Sequence, residues 1–522
     1  MHLRLAVPAS LVIALAGSSA VAQEGPPPPP PPPPSSAPAP PSVVGPPTAP
    51  PAWSLIGPVE PPASPPIEAW HSGYHNGTFY IRSSDDVFRL YVQGRVHADY
   101  YEAFGPGLHA LAPGGAPAHG FALRRARLEL GGEFFLRWQW QLGAEFAPSA
   151  ASNVAANTAG LSCKVNASTS ALACNPAESA VDAPTVGPAP TDVFVNFAPS
   201  PWANVEVGQF YLPFSLENRI SDNTTAFLER ALVIRTIAAP LQRDLGAMFW
   251  GESPDRVLYY AVGLVNGDGP NRPNADARYD VAGRVFVRPL VRATGTSARF
   301  AQIGFSVHAG SRDPGKVGYD MPALTTSQGF AFWRPTYTDS NGRLLHVLPS
   351  ATQQAYGADL LLPVGNFDLT TEFVYANYET REAVDGLQLS PFTERLGALE
   401  GWGYYVQVGY WILGDHDILG SPTYGRPIHV DLKQPQQAAR HGLQVVARVD
   451  QLALTYRGSS RGGTDDAKTP SGDVDTTSFT LGVNYWATRH LRVSANYAYY
   501  DLPNRSTVAT LHEVSARVGV QF

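Results

Sequence analysis

Apolar and polar side chains alternate with a period of two through most of the chain. Near the C-terminus the apolar set is Val514, Ala516, Val518, Val520 and Phe522, and the polar set between them is Glu513, Ser515, Arg517, Gly519 and Gln521. Successive side chains of a strand point to opposite faces, so such a segment has one apolar face and one polar face. The alternation recurs in about sixteen segments, which is typical of a transmembrane β-barrel with lipid outside and water inside.

The pattern predicts an all-β fold, a transmembrane antiparallel barrel of sixteen strands. The strands are expected near 88–103, 121–134, 137–147, 191–198, 203–212, 242–252, 256–266, 279–289, 298–310, 353–363, 366–380, 401–413, 441–455, 476–488, 491–500 and 511–522. The segment from Gly77 to Ser83 adds to the first strand or replaces it. Short connections alternate with long ones, as in outer-membrane barrels. Asp415 to Arg440 breaks this rule, so it either folds into the lumen or contains a further hairpin.

The same alternation assigns charged side chains to the lumen, because a basic residue at the lipid midplane costs about 2–4 kcal/mol. The expected lumen-facing bases are Arg95, Arg125, Arg127, Arg284, Arg288, Arg448, Arg492 and Arg517. The expected lumen-facing acids are Asp99, Glu129, Glu145, Glu206, Asp368, Glu372, Asp450 and Glu513. The two sets are equal in number. Each member either contacts permeating ions or pairs across the barrel wall and braces it.

The N-terminal region lacks the strand pattern. Residues 1–22 resemble a secretory signal peptide, with a basic start, a short apolar run and a small-x-small cleavage site at Ala20-Val21-Ala22. A membrane anchor is the alternative, but the apolar run is too short to span a bilayer. Residues 23–70 include nine consecutive prolines and predict a disordered, proline-rich linker in the periplasm, whose partner the sequence does not identify. Residues 71–522 are then the barrel domain.

Charge and cysteine content bear on partners and cofactors. The formal net charge of -7 and the pI of about 6.0 give no reason to expect a nucleic-acid partner. Cys163 and Cys174 are the only cysteines, and they lie in one long loop, where they are predicted to form a disulfide after export. A metal site would need more ligands nearby, and this loop contains no histidine, so neither metal nor cofactor is expected.

Two other functional classes compete with a channel. Some outer-membrane barrels are hydrolases, but the sequence contains no Gly-x-Ser-x-Gly elbow and no His-Glu-x-x-His motif. His97, His308 and His441 lie in or near predicted strands, which favours a lumen or surface position over the role of a general base. We therefore expect no enzyme activity. The other hypothesis is a non-conducting envelope tether or adhesin that uses the proline-rich linker and the loop with the two cysteines.

Several motifs occur in a fixed order along the predicted strands. They are Gly94–Tyr100, Leu123–Glu129, Val207–Glu217, Phe227–Arg230, Arg243–Gly246, Ala261–Asp268, Gly403–Gln407 and Leu481–Trp486. In this order they resemble the phosphate-selective porin O and P family, over about residues 73–522. The resemblance implies a barrel in outer-membrane lipid, usually a homotrimer, that passes small anions such as phosphate through a constricted pore lined by arginine. It also implies that some loops fold inward, with the third long loop, about Ser215 to Leu241, as the constriction.

The resemblance implies individual pore residues as well. Arg124 and Arg125 match a central arginine pair, and both can face inward only at a bulge or a strand end. Asn218 stands where strongly phosphate-specific members have lysine, so phosphate, another small oxyanion and a general, weakly selective pore all stay open. The implied pore-lining and anion-binding residues are Arg95, Arg124, Arg125, Arg127, Asp192, Asn218, Ser221 and Arg230.

Overall fold

The computed structural model describes the barrel domain with gaps in its loops. The described residues are 71–108, 119–135, 137–147, 161–165, 172–176, 188–238, 242–313, 321, 324–329, 331–333, 337–338, 344–384, 388–389, 395–420, 422, 425–432, 441–459, 472–501 and 510–522. The predicted signal peptide and proline-rich linker lie outside these residues.

Sixteen antiparallel strands form one closed barrel, as the alternation predicts. In chain order they are Phe88–Phe104 (β1), His119–Phe134 (β2), Trp138–Glu145 (β3), Ala189–Ser200 (β4), Ala203–Tyr211 (β5), Arg243–Glu252 (β6), Leu258–Val265 (β7), Asp280–Val287 (β8), Gln302–Arg312 (β9), Leu344–Val364 (β10), Phe367–Val384 (β11), Arg395–Leu413 (β12), Gly442–Ser459 (β13), Gly472–Trp486 (β14), Leu491–Asp501 (β15) and Thr510–Gln521 (β16). Each strand pairs with the next, and β16 pairs with β1. Closure gives every strand two neighbours, which lipid demands because it offers the backbone no hydrogen-bond partner.

Burial along the strands follows the predicted faces. In β1, Arg95, His97 and Asp99 are buried inside the barrel, while Val96 between them is 41% exposed on the outside. The predicted lumen-facing acids and bases are all buried, except Arg492, which is half-buried. The assignment of charged side chains to the lumen is therefore confirmed.

The structure refines the ends of several predicted strands. Thr78–Arg82 pairs with the start of β1 and with His71–His75, so this hairpin adds to the first strand and does not replace it. The prediction of a strand from 298 is wrong, because Ser297–Phe300 is a turn of 3-10 helix, in which the Thr296 side chain accepts a hydrogen bond from the N–H of Ala298. Strands β10 to β14 extend beyond the predicted segments at the end with long loops. At that end the strands stay paired beyond the band of apolar, outward-facing residues, and the prediction depended on that band.

Small elements complete the loops. Leu161–Val165, Leu172–Pro176 and Gln388–Leu389 form a three-stranded sheet, in which the backbones of Cys163 and Cys174 lie opposite each other. The disulfide between these residues stays a prediction. The remaining short strands and helices are Leu324–Thr325, Ala331–Trp333, Tyr337–Thr338, the 3-10 helices Glu217–Arg219 and His416–Ile418, and the α-helix Leu232–Thr236. None of the helices in the described part of the chain is long and apolar enough to cross a membrane.

The long segment between β12 and β13 enters the lumen from the end with tight turns. His416 Nδ1 lies 2.8 Å from Oδ1 of Asp368, a lumen-facing residue of β11. Farther along, Arg426 Nη1 donates to Glu252 Oε2 at 3.0 Å, at the end of β6 on another part of the wall. The described residues 414–420, 422 and 425–432 contain no strand. Of the two alternatives for this segment, folding into the lumen is the one observed.

Val262 tests the assignment of the outer face. It lies in the middle of β7 and is 52% exposed. Val262→Arg should destabilise the barrel by about 2–4 kcal/mol, because the charge would lie within the hydrocarbon. Unfolding by urea in lipid vesicles, followed by the heat-dependent gel shift of folded barrels, measures this change.

The matched control is Val287→Arg, at the end of β8 beside the tight turns, where the same charge should cost less than about 1 kcal/mol. Equal effects of the two substitutions would contradict the position of the apolar band.

Candidate functional site

The described residues 212–238, between β5 and β6, form an inner loop that lies inside the barrel. The apolar loop side chains Phe214, Leu216, Leu232, Val233, Ile234 and Ile237 are at most 2% exposed. They form one cluster with inward-facing wall residues that include Tyr259, Tyr378, Tyr405, Leu452, Leu454 and Tyr456. Burying each apolar side chain contributes about 1.5–3 kcal/mol, so this patch holds the loop against the wall. The alternation did not predict the patch, because it places apolar residues on the lumen side.

Wall carboxylates also hold the backbone of the inner loop. Glu372 of β11 accepts hydrogen bonds from the backbone N–H groups of Leu216 at 2.8 Å and Glu217 at 2.7 Å. Asp450 of β13 accepts one from the N–H of Leu232 at 2.8 Å. These N–H groups lie at helix starts, where the helix itself provides no acceptor. Two acids that were expected to face the lumen therefore anchor the loop.

The tip of the inner loop places Asp222 among arginine side chains of the wall and of the loop itself. Its carboxylate lies within 4.0 Å of four guanidinium groups, which belong to Arg95, Arg125, Arg127 and Arg230. These four residues, here called the arginine cluster, are all buried. Ser221 joins the group, since its Oγ accepts a hydrogen bond from Arg95 Nη1 at 3.2 Å. The structure thus brings together five of the predicted site residues around one carboxylate.

A β-bulge explains how both residues of the arginine pair face inward. The register of β2 against β1 shifts so that Arg124 is the extra, unpaired residue. Arg125 reaches Asp222, with 3.2 Å between Nε and Oδ2. Arg124 binds Glu229 of the inner loop through two hydrogen bonds of 2.7 and 3.0 Å. Of the two alternatives expected from the sequence, a bulge or a strand end, the structure has the bulge.

The carboxylates around the arginine cluster do not match its charge completely. Arg95 Nη2 lies 2.7 Å from Glu129 Oε2, and Arg127 Nε lies 3.2 Å from Glu145 Oε2. Together with Asp222, three carboxylates face the four guanidinium groups. One positive charge is left over, so the local field favours an anion.

Asp222 is ionised at neutral pH. Burial raises the pKa of its carboxyl group, but the guanidinium groups of the arginine cluster, Arg125 above all, outweigh burial and hold the pKa well below 3.8. The stabilising effect of these ion pairs is therefore complete above pH 3.8 and is lost as the pH falls through the lowered pKa.

Two predicted site residues lie apart from the cluster. Asp192 forms a paired contact with Arg243, with distances of 2.9 and 3.1 Å. Asn218 is fully buried, and its backbone N–H donates to Ser215 Oγ at 3.2 Å. Within the described ranges, no hydrogen bond or ion pair joins either residue to the arginine cluster.

Asp222 and Glu229 are site residues that the sequence reasoning missed. Loop residues carry no strand periodicity, so nothing indicates where their side chains point. The available signal was position alone: both acids lie in the segment that the family resemblance marks as the constriction, next to Ser221 and Arg230.

Two cavities flank the inner loop. One is lined by basic residues that include Arg492 and Arg517. The other is lined by Glu217, Asp368 and a mixture of neutral polar and apolar residues. In the described part of the chain, no group of three or more His, Cys, Asp or Glu residues could hold a metal ion. Hydrogen-bonding and charged side chains therefore lie on two sides of the inner loop.

Known proteins provide a comparison at the level of family and fold. The family model for phosphate-selective porins O and P matches residues 91–522. OmpT of Vibrio cholerae has a TM-score of 0.45 and 9% identity, covering 84% of this chain and 98% of OmpT. The anion-selective porin of Comamonas acidovorans has a TM-score of 0.43 and 9% identity over 83% of this chain and 100% of the porin. DcaP of Acinetobacter baumannii has a TM-score of 0.43 and 10% identity over 83% of this chain and 97% of DcaP. No curated sequence matches the chain.

The family match extends from β1 to β16 and includes every residue of the arginine cluster. The family match and the closed barrel, with its charged interior and apolar exterior, indicate a channel rather than an enzyme. The chain therefore belongs to the phosphate-selective porin O and P family and is an outer-membrane diffusion channel.

Proposed function

We propose that the channel passes small anions by passive diffusion and that the arginine cluster is its selective constriction. The observation that carries this proposal is the position of Asp222. A carboxylate is itself an oxyanion, and here four guanidinium groups hold it at 2.8 to 4.0 Å. Arginine presents a planar fork of donors that suits carboxylate and phosphate oxygens. The same donors can replace part of the hydration shell of a permeating oxyanion.

Asp222 also accounts for release of the solute. A channel must attract its ion strongly enough for entry and weakly enough for exit. Because Asp222 is attached to the inner loop, it competes with the permeating anion for the same guanidinium groups. Each anion displaces part of this internal contact and is itself displaced when the carboxylate returns.

Phosphate is the leading solute, with other small oxyanions next. The arginine cluster supports an oxyanion, while Asn218 in place of lysine and the separate position of Asp192 argue against very tight phosphate binding. We further propose a homotrimer, with the proline-rich linker in the periplasm. Membership of this porin family supports the trimer, by analogy with homologous porins.

Conductance of the purified full chain in planar bilayers tests the function. The reversal potential in a KCl gradient gives the preference for anions, and titration with phosphate then measures block. Anion preference with phosphate block supports an oxyanion site. A weakly selective current that phosphate leaves unchanged would indicate a general porin, and no current from folded protein would indicate a tether or adhesin.

Removal of charge at the bulge should reduce selectivity. Arg124→Gln combined with Arg125→Gln should lower the anion preference, because two guanidinium groups leave the constriction and Glu229 loses its close partner. The reversal potential measures this change, and the heat-dependent gel shift shows that the barrel still folds. Arg292→Gln is the control, since Arg292 is 75% exposed at a tight turn. Unchanged selectivity in the double variant would contradict the assignment.

Removal of the internal carboxylate should have the opposite effect. Asp222→Asn should strengthen both anion preference and phosphate block, the block by about tenfold, equivalent to about 1.4 kcal/mol. The reason is that the four guanidinium groups lose their shared counter-ion while the amide keeps nearly the same shape. Phosphate titration of the single-channel current measures it, with Asp255→Asn at an exposed turn as the control. A weaker phosphate block in Asp222→Asn would show that the carboxylate only positions the arginines.

A further inference from the structure

The apolar contacts of the inner loop hold its two ends but not its tip. The loop residues in the apolar cluster belong to 212–216 and 231–238, with Ile220 packed against them. The loop tip, residues 222–226, lies outside every helix and strand. No backbone N–H in the described part of the chain donates to the carbonyl groups of Asn223, Thr225 or Ala226. Because carbonyl groups removed from water need donors, side chains must provide them.

Two side chains of the wall provide these donors. Arg492 of β15 donates from Nη1 to the carbonyl oxygen of Asn223 at 3.1 Å and from Nη2 to that of Thr225 at 2.7 Å. Asn484 of β14 donates from Nδ2 to the carbonyl oxygen of Ala226 at 2.8 Å, and its Oδ1 accepts a hydrogen bond from Arg492 Nη2 at 2.6 Å. Arg492 and Asn484, here called the carbonyl clamp, thus bind each other as well as the loop tip.

Arg492 differs from Arg517, a wall arginine that also binds the inner loop. Arg517 donates to the carbonyl oxygen of Leu228 at 3.0 Å, but it also forms a paired contact with Asp99 at 2.8 and 2.7 Å. No carboxylate among the described residues forms an ion pair with Arg492, and both of its terminal nitrogens donate to the loop tip. Its charge therefore acts on carbonyl dipoles, in charge-assisted hydrogen bonds that are about twice as strong as neutral ones.

Asp222 is held from both sides along the chain. Before it, Arg95 Nη1 donates to Ser221 Oγ at 3.2 Å, and Arg230 Nη2 donates to the carbonyl oxygen of Ile220 at 3.0 Å. After it, the carbonyl clamp holds the remaining part of the loop tip. The first set of contacts comes from the arginine cluster itself, whereas the clamp is a separate part of the wall. Without the clamp, the effective concentration of the carboxylate at the guanidinium groups would fall.

We propose that Arg492 and Asn484 are positioning residues of the selective constriction, which set how strongly Asp222 competes with a permeating anion. They bind the loop backbone and act on the solute only through Asp222. This inference rests on the proposed function, in which Asp222 and the solute compete for the arginine cluster. A preorganised carboxylate competes more strongly, so the carbonyl clamp favours release of the anion over its retention.

Arg492→Lys separates the fork of donors from the charge. Lysine keeps the positive charge but has one compact ammonium group in place of the planar fork, so its hold on the loop tip is weaker. Phosphate should then block the single-channel current of the full chain at a concentration about threefold lower than in the wild type, the effect of losing about one hydrogen bond. An arginine that attracted the anion directly would instead leave the block as in the wild type. Unchanged or weaker phosphate block would therefore overturn the proposal.

The matched control is Arg278→Lys. Arg278 also donates to a backbone carbonyl oxygen, that of Arg312 at 3.1 Å, and to Ser311 Oγ, but these partners lie outside the inner loop. Phosphate block should stay as in the wild type. An equal increase of the block in Arg278→Lys and Arg492→Lys would count against a specific role of the carbonyl clamp and would overturn the proposal.

Asn484→Ala keeps every charge of the channel. It removes the donor to Ala226 and one acceptor of Arg492, so phosphate block should strengthen as it does in Arg492→Lys. The heat-dependent gel shift shows that the barrel still folds. Wild-type phosphate block in a folded Asn484→Ala channel would overturn the positioning role.

Variants combined with Asp222→Asn show whether the carbonyl clamp acts through Asp222. In a channel that already carries Asp222→Asn, the further change Arg492→Lys should leave phosphate block unaltered, because the competing carboxylate is absent. The same fold-change with and without the carboxylate would show that Arg492 acts on the solute by itself, and the proposal would be wrong.

Hydrogen–deuterium exchange of the folded full chain gives a measurement that depends on no solute. The N–H groups of residues 222–230 should exchange faster in Arg492→Lys and Asn484→Ala than in the wild type. Those of residues 232–237, which Asp450 and the apolar cluster hold, should not change. Equal exchange of residues 222–230 in all three proteins would overturn the clamp. A wild-type channel that phosphate does not block would overturn the proposed function instead, and faster exchange in the variants would still support the clamp.

Discussion

The inner loop is held against the barrel wall by two interactions, and the rest of the lumen depends on them. Glu372 and Asp450 bind backbone N–H groups at the starts of two short helices, and apolar loop residues pack on an apolar patch of the wall. A loop in water would make neither contact. Water would bind each N–H group, and the apolar patch of the wall would stay exposed. Only with the loop in this position does Asp222 lie within reach of the arginine cluster.

Charge inside the barrel serves two purposes. Some pairs brace the wall: Asp99 and Arg517 lie opposite each other where β16 closes on β1, and their side chains form a bidentate contact. Others form the site, where the guanidinium groups outnumber the carboxylates. The two groups of charges differ in whether each charge has a counter-ion of its own. A charge with its own partner stabilises the wall, whereas a charge that shares a partner is available to a solute.

The sequence predicted the faces of the strands well because lipid imposes a strict rule on them. Arg95, Arg125 and Arg127 could be placed in the lumen from alternation alone, and the arginine pair required the bulge that the structure contains at Arg124. Asp192 and Asn218 were different, since they were placed by resemblance and not by periodicity. In the structure, Asp192 contacts Arg243 and Asn218 lies beside Ser215, so neither reaches the arginine cluster.

By itself, the sequence determined the barrel, its sixteen strands and the inward face of its charges, because period two and the exclusion of charge from lipid act on each residue locally. It could not determine which charges meet. Asp222 is separated from Arg95 by more than a hundred residues, and it reaches that side chain only because the inner loop folds into the closed barrel. The site was decided by tertiary structure, since it consists of contacts between a loop without periodicity and strands far away in the chain.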